Sequence, residues 1–305
     1  MQNNKALTFG PVNSRRFGIS LGIDLSPSFK QCNFDCLYCE LAPAPTMSKQ
    51  THSINVKEYI DAVKIALEKN PEIEVITLTA NGEPTMYPYL DHLVDKLNKI
   101  KGNKKLLILS NAALITNFNI AKTLKKIDIV KLSLDCATKE CFKKLDRVDE
   151  SIDTDKMIDY IFKFNKVFKN DLILEILFVD TINNKEKELD ELYDILYELN
   201  PTRVDIGTID RPPAYPVKEI TYEELTTIAN SMNGLNISIA HKTKISLNKY
   251  LNEDEILNLL DKRPQTFDDI ENLLDEKSKA IFDNLLKDDK IITKNQAGVL
   301  FYAKQ

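Results

Sequence analysis

Short runs of β-branched and other apolar residues alternate along the chain with longer stretches in which apolar residues recur every three or four positions. The short runs predict strands near 19–24, 74–79, 105–110, 129–134, 172–179 and 203–207. The longer stretches predict helices near 57–69, 88–101, 117–126, 153–168 and 184–199. This alternation is typical of an α/β fold with a parallel sheet. Six strands joined by right-handed crossovers form either an open doubly wound sheet or a partial barrel, and the pattern alone favours neither.

The first of these helices shows how the core is expected to form. The helical period over 57–69 predicts one broad apolar face made of Tyr59, Ile60, Val63, Ile65 and Ala66. Such a face is expected to pack against the sheet, with the charged residues between these positions in solvent.

The pattern changes near residue 210. Three prolines in Arg211-Pro-Pro-Ala-Tyr-Pro216 predict an extended loop, because proline lacks a backbone donor and restricts the residue before it. A helix at 221–232 and a strand at 235–240 are predicted to follow. We then expect helices at 253–261, 267–274 and 277–288 and strands at 291–293 and 299–302, joined by a turn that contains Asn295 and Gly298. Three helices and a hairpin resemble a winged-helix module, so the expected division is a core over 1–210, an extension over 211–250 and a winged-helix-like domain over 251–305.

Composition and charge narrow the classes of protein. A hydrophobic content of 43% and a charged content of 29% are ordinary for a soluble globular protein. The net charge of -5 gives no general attraction to nucleic acid or to an acidic membrane. The first residues lack the apolar core of a signal peptide, and the apolar run near 172–179 is too short to cross a bilayer. We therefore expect a cytoplasmic protein.

Three of the five cysteines lie in one short segment, Cys32-Asn-Phe-Asp-Cys36-Leu-Tyr-Cys39. This crowding indicates thiols kept for a metal in a reducing compartment, not a disulfide framework. Three thiolates leave one position of a metal centre open. A zinc site completed by His52 or by a distant residue, and an electron-transfer cluster with a further ligand, are the two alternatives to an iron–sulfur cluster with one free iron.

The segment resembles the signature of radical S-adenosylmethionine (radical SAM) enzymes. The longer stretch from Gly10-Pro-Val-Asn-Ser-Arg-Arg-Phe-Gly through Gln31-Cys-Asn-Phe-Asp-Cys-Leu-Tyr-Cys-Glu-Leu41 is similar to the wyosine-synthase-like iron–sulfur oxidoreductases of that superfamily. The likeness extends over about residues 10–210 and implies a partial (β/α)6 TIM barrel as the core.

The resemblance also implies a chemistry. Cys32, Cys36 and Cys39 would hold a [4Fe–4S] cluster, and the amino and carboxylate groups of S-adenosylmethionine (SAM) would occupy its open iron. One electron, delivered by a partner such as flavodoxin or ferredoxin, would cleave SAM to a 5′-deoxyadenosyl radical that abstracts hydrogen from the substrate. The cofactor carries this chemistry, and the protein orients the cofactor and excludes water.

Further residues are assigned to SAM by the same resemblance. Ala80-Asn-Gly-Glu-Pro-Thr85 resembles the Gly-Gly-Glu-Pro element that lies against the SAM amino group, which implies roles for Asn81, Gly82 and Glu83. Polar residues at the ends of later strands are expected to contact the ribose or the methionine carboxylate, and Tyr38 is expected near the adenine. These strand-end candidates are Asn111, Ser133, Asp135 and Asn184. Helix capping is the alternative for each of them, because Ser, Asp and Asn are preferred caps.

Two other pairs of residues have open interpretations. Cys136 and Cys141 are read as small buried residues, with a redox pair or a cluster fragment as the alternatives. Arg15 and Arg16 either hold an anionic substrate or pair with acidic residues.

The substrate is predicted to be a protein, a peptide or a small molecule. A base in tRNA is the first alternative, but the 4-demethylwyosine synthases carry a second cluster on cysteines upstream of the triplet, and no cysteine precedes Cys32 here. Residues 251–305 contain 12 acidic and 8 basic side chains, a balance opposite to that of a phosphate-binding module. This C-terminal region is therefore expected to dock or pack, and nucleic acid is not the favoured partner. A non-catalytic iron–sulfur or zinc protein is the second alternative.

Overall fold

A computed structural model describes residues 7–239, 247–296 and 299–305. Eight strands form one sheet whose spatial order follows the sequence. The first pair is antiparallel and all later pairs are parallel. The strands are β1 (Thr8–Ser14), β2 (Gly18–Asp24), β3 (Val75–Thr79), β4 (Lys105–Ser110), β5 (Ile129–Ser133), β6 (Asp171–Phe178), β7 (Arg203–Thr208) and β8 (Ile237–Ile239). The predicted α/β class and parallel sheet are confirmed, and the sheet has the strand order of a partial barrel.

Helices connect the parallel strands. They are α1 (Val56–Lys69), α2 (Leu90–Ile100), α3 (Phe118–Leu124), the single turn α4 (Lys139–Cys141), α5 (Thr154–Val167), α6 (Glu186–Leu199) and α7 (Tyr222–Ser231). Their starts follow local capping: the Asn55 and Asp153 side chains cap α1 and α5, and Thr221 forms a capping box on α7. Within the described ranges, none of the helices has both the length and the apolar character needed to cross a membrane.

The predicted apolar face of α1 is correct except at one position. Tyr59, Ile60 and Val63 are buried against the sheet. Ile65 is 66% exposed, so its assignment to the core was wrong. Six residues after Tyr59 the helix has turned by roughly 600°, which directs Ile65 about 120° away from Tyr59.

Strand β1 was not predicted, because Pro11 and Asn13 interrupt its apolar pattern. Tertiary contacts form it: its neighbour β2 supplies the hydrogen bonds, and Phe9 lies over Gly22, where an added Cβ would be 2.2 Å from the ring. Val12 packs into the hydrophobic core of the C-terminal unit, not into that of the barrel. Strand β1 therefore joins the two cores.

The C-terminal unit contains α8 (Glu253–Lys262), β9 (Gln265–Thr266), α9 (Phe267–Leu273), α10 (Glu276–Lys287), β10 (Ile291–Gln296) and β11 (Val299–Lys304). The predicted helices and hairpin strands are present, and the short β9 pairs with β11 to make a three-stranded sheet. Asn295 was wrongly assigned to the turn: it lies in β10 opposite Leu300, because the hairpin pairs as far as Gln296 and Val299. The other turn residue, Gly298, and the last residue of the strand predicted at 235–240, Ala240, lie outside the described residues.

Candidate active site

The cysteine segment leaves the carboxyl end of β2, the edge of a parallel sheet at which ligands bind. Backbone hydrogen bonds fix it from several sides. The N–H groups of Asp35 and Leu37 donate to the carbonyls of Asp146 and Leu145 at 3.1 and 2.9 Å. The proline-rich loop reaches the same segment, since Ala214 N–H donates to the Cys39 carbonyl at 2.7 Å. The cysteine segment is therefore held both by residues 145–146 and by the proline-rich loop after β7.

The three thiols are free and partly buried. The Phe34 N–H donates to Cys32 Sγ at 3.4 Å, and Asn111 Nδ2 lies 3.8 Å from the same sulfur. Burial raises the pKa of all three thiols, that of Cys32 to about 12. A metal centre is what converts such buried thiols into thiolates, and N–H donors aimed at sulfur are the contacts that tune an iron–sulfur cluster.

The three sulfurs are not gathered as closely as the ligands of one zinc ion. Four ligands around one zinc ion at about 2.3 Å place their sulfurs about 4 Å apart. Among the described residues, Cys32, Cys36 and Cys39 do not form a group whose ligand atoms all lie within 4.8 Å of one another. The group that meets this criterion is Cys136, Cys141 and Glu188, outside the cysteine segment. His52 does not complete one either, and its ring contacts Thr51 and Phe29 instead.

Gly82 brings the loop after β3 against the cysteine segment. Gln31 N–H donates to the Asn81 carbonyl at 2.8 Å, and Glu83 N–H donates to the Gln31 carbonyl at 3.0 Å. Gly82 has φ of +134°, and an added Cβ would stand 1.9 Å from the Gln31 carbonyl oxygen. Only glycine allows both this backbone conformation and this approach.

The Glu83 carboxylate is 2% exposed and binds donors of the protein itself. It accepts hydrogen bonds from Thr85 N–H at 2.9 Å, Thr85 Oγ1 at 2.5 Å, Ser110 Oγ at 2.7 Å and Asn111 N–H at 2.7 Å. Glu83 thus joins the end of β3 to the end of β4. Burial raises its pKa, and these hydrogen bonds act in the opposite direction.

Asn111 lies beside the first cysteine. Its Nδ2 donates to Asn33 Oδ1 at 2.8 Å, and its Oδ1 accepts from Ala113 N–H at 3.1 Å. The structure therefore brings together Asn111, Glu83 and Cys32, three residues that the sequence predicted for one site.

Tyr38 and Asp135 contact each other directly. Tyr38 OH donates to Asp135 Oδ2 at 2.5 Å, and Leu177 N–H donates to Oδ1 at 2.6 Å. Burial is the main reason that the pKa of Asp135 is raised. The pair connects the cysteine segment to β6, while Ser133 ends β5 opposite Glu175.

The two neighbouring asparagines after β6 have different surroundings. Asn183 is fully buried and bonds to Val179 N–H, the Asp135 carbonyl and the Leu177 carbonyl at 2.8, 2.8 and 3.0 Å. The Asn184 Oδ1 atom is buried without a hydrogen-bond partner. A buried polar atom of this kind can take a partner from outside the protein. Asp146, whose carbonyl accepts from Asp35 N–H beside the cysteines, has such an atom as well, its Oδ1.

Cys136 and Cys141 form a disulfide, and both are buried, as the sequence predicted. The prediction that they are free, small residues was wrong: Thr138 caps α4, and this turn brings Cys141 back to Cys136, with Cα atoms 5.5 Å apart. Nearby, Glu188 accepts from Thr138 Oγ1 at 2.8 Å.

Sequence reasoning missed Gln31 as a central residue of the site. Its side chain bonds to Ser26 Oγ at 2.8 Å, the His52 carbonyl at 2.9 Å and Thr51 N–H at 2.8 Å. The sequence feature that could have indicated this role is a glutamine directly before the first cysteine, because a loop without regular structure needs side chains to bond to its backbone groups.

Comparison with known proteins places this site in context. Residues 26–193 match the radical SAM superfamily. A UPF0026 protein of Helicobacter pylori (strain J99) is 35% identical over 304 residues, which cover 99% of this chain and 98% of that protein. A radical SAM methyltransferase from Sphaerobacter thermophilus has a TM-score of 0.57 at 15% identity over 72% of this chain and 65% of that one. TYW1 with a lysine-pyruvate adduct bound has a TM-score of 0.53 at 14% identity over 76% and 78%. The last two matches carry a likeness of fold alone.

Proposed function

The chain belongs to the radical SAM superfamily, whose members are enzymes that bind a [4Fe–4S] cluster and SAM, and we propose that it abstracts hydrogen from a protein, peptide or small-molecule substrate. The cluster, when reduced, supplies the electron that cleaves SAM to the 5′-deoxyadenosyl radical. One observation supports the proposal above the others: three free, partly buried thiols at the end of β2 are held by backbone hydrogen bonds against the Gly82 loop at the end of β3.

We assign the cluster to Cys32, Cys36 and Cys39. Phe34 and Asn111 would orient Cys32 and set the polarity around its sulfur. Lys30 lies near Cys39 and Cys32. Burial by itself would lower the pKa of its amine, but the charge of Cys39, the ion pair with Asp35 at 3.0 Å and the charge of Cys32 together raise it. A fixed positive charge and N–H donors both stabilise the extra negative charge that a reduced cluster carries.

The residues assigned to SAM divide into two kinds. Asn81, Gly82, Ser133 and Asn184 would contact it, through backbone carbonyls of the Gly82 loop and through the unpartnered Asn184 Oδ1. Glu83, Asn111, Asp135 and Tyr38 would hold those contacts in place, because their polar atoms already bond to one another and to the backbone.

We also place the protein in the cytoplasm, with a reductant such as flavodoxin or ferredoxin as its partner. The C-terminal unit is proposed to be a winged-helix-like module that packs on the barrel. Its net negative charge supports packing over nucleic-acid binding.

The test uses the full chain reconstituted anaerobically with iron and sulfide. We expect the visible absorption of an iron–sulfur cluster and formation of 5′-deoxyadenosine from SAM under dithionite. Cys36→Ala should abolish both, and a control with Cys136→Ala and Cys141→Ala, which removes cysteines outside the segment, should retain both. Zinc in place of iron would contradict the proposal, and a full cluster without SAM cleavage would favour a non-catalytic iron–sulfur protein.

The substrate class needs a second experiment. Nucleosides of RNA and small metabolites from a deletion strain are compared with those of the parent. A missing modified nucleoside in tRNA would favour the tRNA alternative over the proposed substrates.

A further inference from the structure

We propose that the barrel cavity binds a phosphate or carboxylate group of a small-molecule substrate through Arg15, Arg211 and Arg263. The inference rests on the proposed function, because it assigns a substrate class to the same active site. The three arginines come from separate parts of the chain: the turn between β1 and β2, the proline-rich loop after β7, and the end of α8.

The cavity inside the barrel has a volume of about 270 Å³ and is strongly cationic. Six cationic side chains line it, against two carboxylates, Glu40 and Glu175. The cationic side chains are Arg15, Arg16, Lys131, Arg211, Lys262 and Arg263. Glu40 directly follows Cys39, so the cavity reaches the cysteine segment.

The cations deep in the barrel are neutralised by the protein. Lys131 lies 2.5 Å from Glu175 and 3.0 Å from Asp205, and Arg16 lies 3.5 Å from Asp205. Lys262 is paired with the buried Asp24. These three cations therefore leave no charge for a ligand.

The cations at the mouth are not fully neutralised. Arg15 pairs with Asp210, but Arg211 is 3.8 Å from Glu40 and 4.0 Å from Asp210, at the limit of an ion pair. Within 7–239, 247–296 and 299–305, no carboxylate lies within ion-pair distance of the Arg263 guanidinium. The charges of Glu40 and Asp269 act on it from farther away.

Asp269 is an acidic residue near Arg263 that does not form an ion pair with it. Its carboxylate instead accepts hydrogen bonds from Thr266 N–H and Thr266 Oγ1 as part of the cap of α9. Burial, and after it the charges of Arg211 and Arg15, lower the pKa of Arg263 to about 9. Glu40 and Asp269 offset the charge of Arg263 only from beyond ion-pair distance. A partly buried guanidinium without a carboxylate in contact is costly.

A bound oxyanion removes that cost. Guanidinium groups present paired N–H donors that match the oxygen edge of a carboxylate or a phosphate. A second cavity of about 470 Å³ lies between the barrel and the C-terminal unit, and the three arginines line both cavities. Four acidic residues also line the second cavity, Asp210, Glu219, Asp268 and Asp269, so the oxyanion is assigned to the first. Spaces of this size fit small molecules, which is why we assign a small anionic substrate and not a folded protein.

The test measures binding of inorganic pyrophosphate and of succinate to the full chain by calorimetry at low ionic strength. Wild type should bind at least one of them, and which one it prefers distinguishes a phosphate from a carboxylate. Arg263→Gln should weaken that binding by roughly tenfold or more, the loss expected for a charge-assisted hydrogen bond. Lys277→Gln, an exposed change on α10, is the matched control and should bind like wild type.

A purely structural role gives a different result. Arg263→Gln would then lower the midpoint of unfolding without anion and leave anion binding unchanged, whereas relief of repulsion predicts an equal or higher midpoint. If Arg263→Gln does not fold, Arg211→Gln takes its place. Equal binding by wild type and variant, or no binding of either probe by wild type up to about 10 mM, overturns the inference.

SAM cleavage by the wild type, measured without either probe, separates the two proposals. Cleavage without anion binding refutes only the anionic substrate. Anion binding without cleavage refutes the proposed radical chemistry.

Discussion

Lys262, the last residue of α8, donates a hydrogen bond to the carboxylate of Asp24 at the carboxyl end of β2. The two side chains are 3% and 2% exposed. The other oxygen of Asp24 accepts from the backbone N–H groups of Asn81 and Ser26 at 2.8 and 2.9 Å. One carboxylate thus ties the C-terminal unit to the start of the cysteine loop and to the Gly82 loop.

Lys262→Met should destabilise the protein strongly. It leaves the Asp24 carboxylate buried without a cation, and breaking a buried pair in this way costs about 3–5 kcal/mol. The free energy of unfolding in urea measures the loss. Lys277→Met, on the exposed side of α10, should stay within about 0.5 kcal/mol of wild type. Equal stability of the two variants would show that the Asp24 pair contributes nothing.

Gly82→Ala should reduce 5′-deoxyadenosine formation by about 100-fold, the effect of displacing reacting groups by about 1 Å. The added methyl meets the Gln31 carbonyl and so pushes the Gly82 loop away from the cysteine segment. Gly207→Ala is the control, because nothing lies within 4 Å of its added Cβ and its φ is not in the left-handed region. Activity of Gly82→Ala equal to that of Gly207→Ala would exclude the proposed role of this close approach.

Asn183→Ala should lower the stability of the protein, whereas Asn184→Ala should lower its affinity for SAM. Loss of the buried Asn183 amide leaves Val179 N–H and two carbonyls unsatisfied, so we expect a loss of about 3 kcal/mol in stability. Loss of the Asn184 amide should leave stability unchanged and raise the dissociation constant for SAM by about tenfold. Urea unfolding and equilibrium dialysis with SAM measure the two quantities. A destabilised Asn184→Ala with normal SAM affinity would contradict the assignment.

The stabilisation that the Asp205 carboxylate contributes should be lost in acid. Burial by itself would raise its pKa, but the hydrogen bond from Arg203 and the charges of Lys131 and Arg16 outweigh burial and hold the pKa below its ordinary value. The unfolded chain then binds the proton more tightly, so the stabilisation is complete above the unfolded pKa of about 3.9 and is lost as the pH falls through the folded pKa.

Asp205→Asn should therefore lose about 3 kcal/mol at pH 7, and its difference from wild type should shrink below about pH 4. The free energy of unfolding in urea, measured between pH 3 and 7 in steps of about one pH unit, tests this. Asp283→Asn, an exposed change on α10, is the control. A difference that grows in acid would refute the linkage.

Local sequence patterns were sufficient to predict the strands and helices that form mainly through contacts between residues close in the chain. The six parallel strands and the helices α1 to α10 follow from apolar periodicity and capping residues, with α4 as the exception because its single turn is too short to show a period. Strand β1 needed β2 and the C-terminal core, and Ile65 shows that one apolar residue in a helix need not lie on the buried face.

The α/β order, the cysteine segment at the end of β2 and the Gly82 loop at the end of β3 were all predicted correctly from the sequence, because spacing along the chain and the ends of strands are local properties. Which polar atoms are already paired depends on contacts between distant parts of the chain. Glu83 is bound by protein donors, Asn184 Oδ1 has no partner, and among the described residues no carboxylate lies within ion-pair distance of Arg263. Such pairings join residues that lie far apart along the chain. Lys262 and Asp24 are separated by 238 residues, and no local periodicity encodes such a contact.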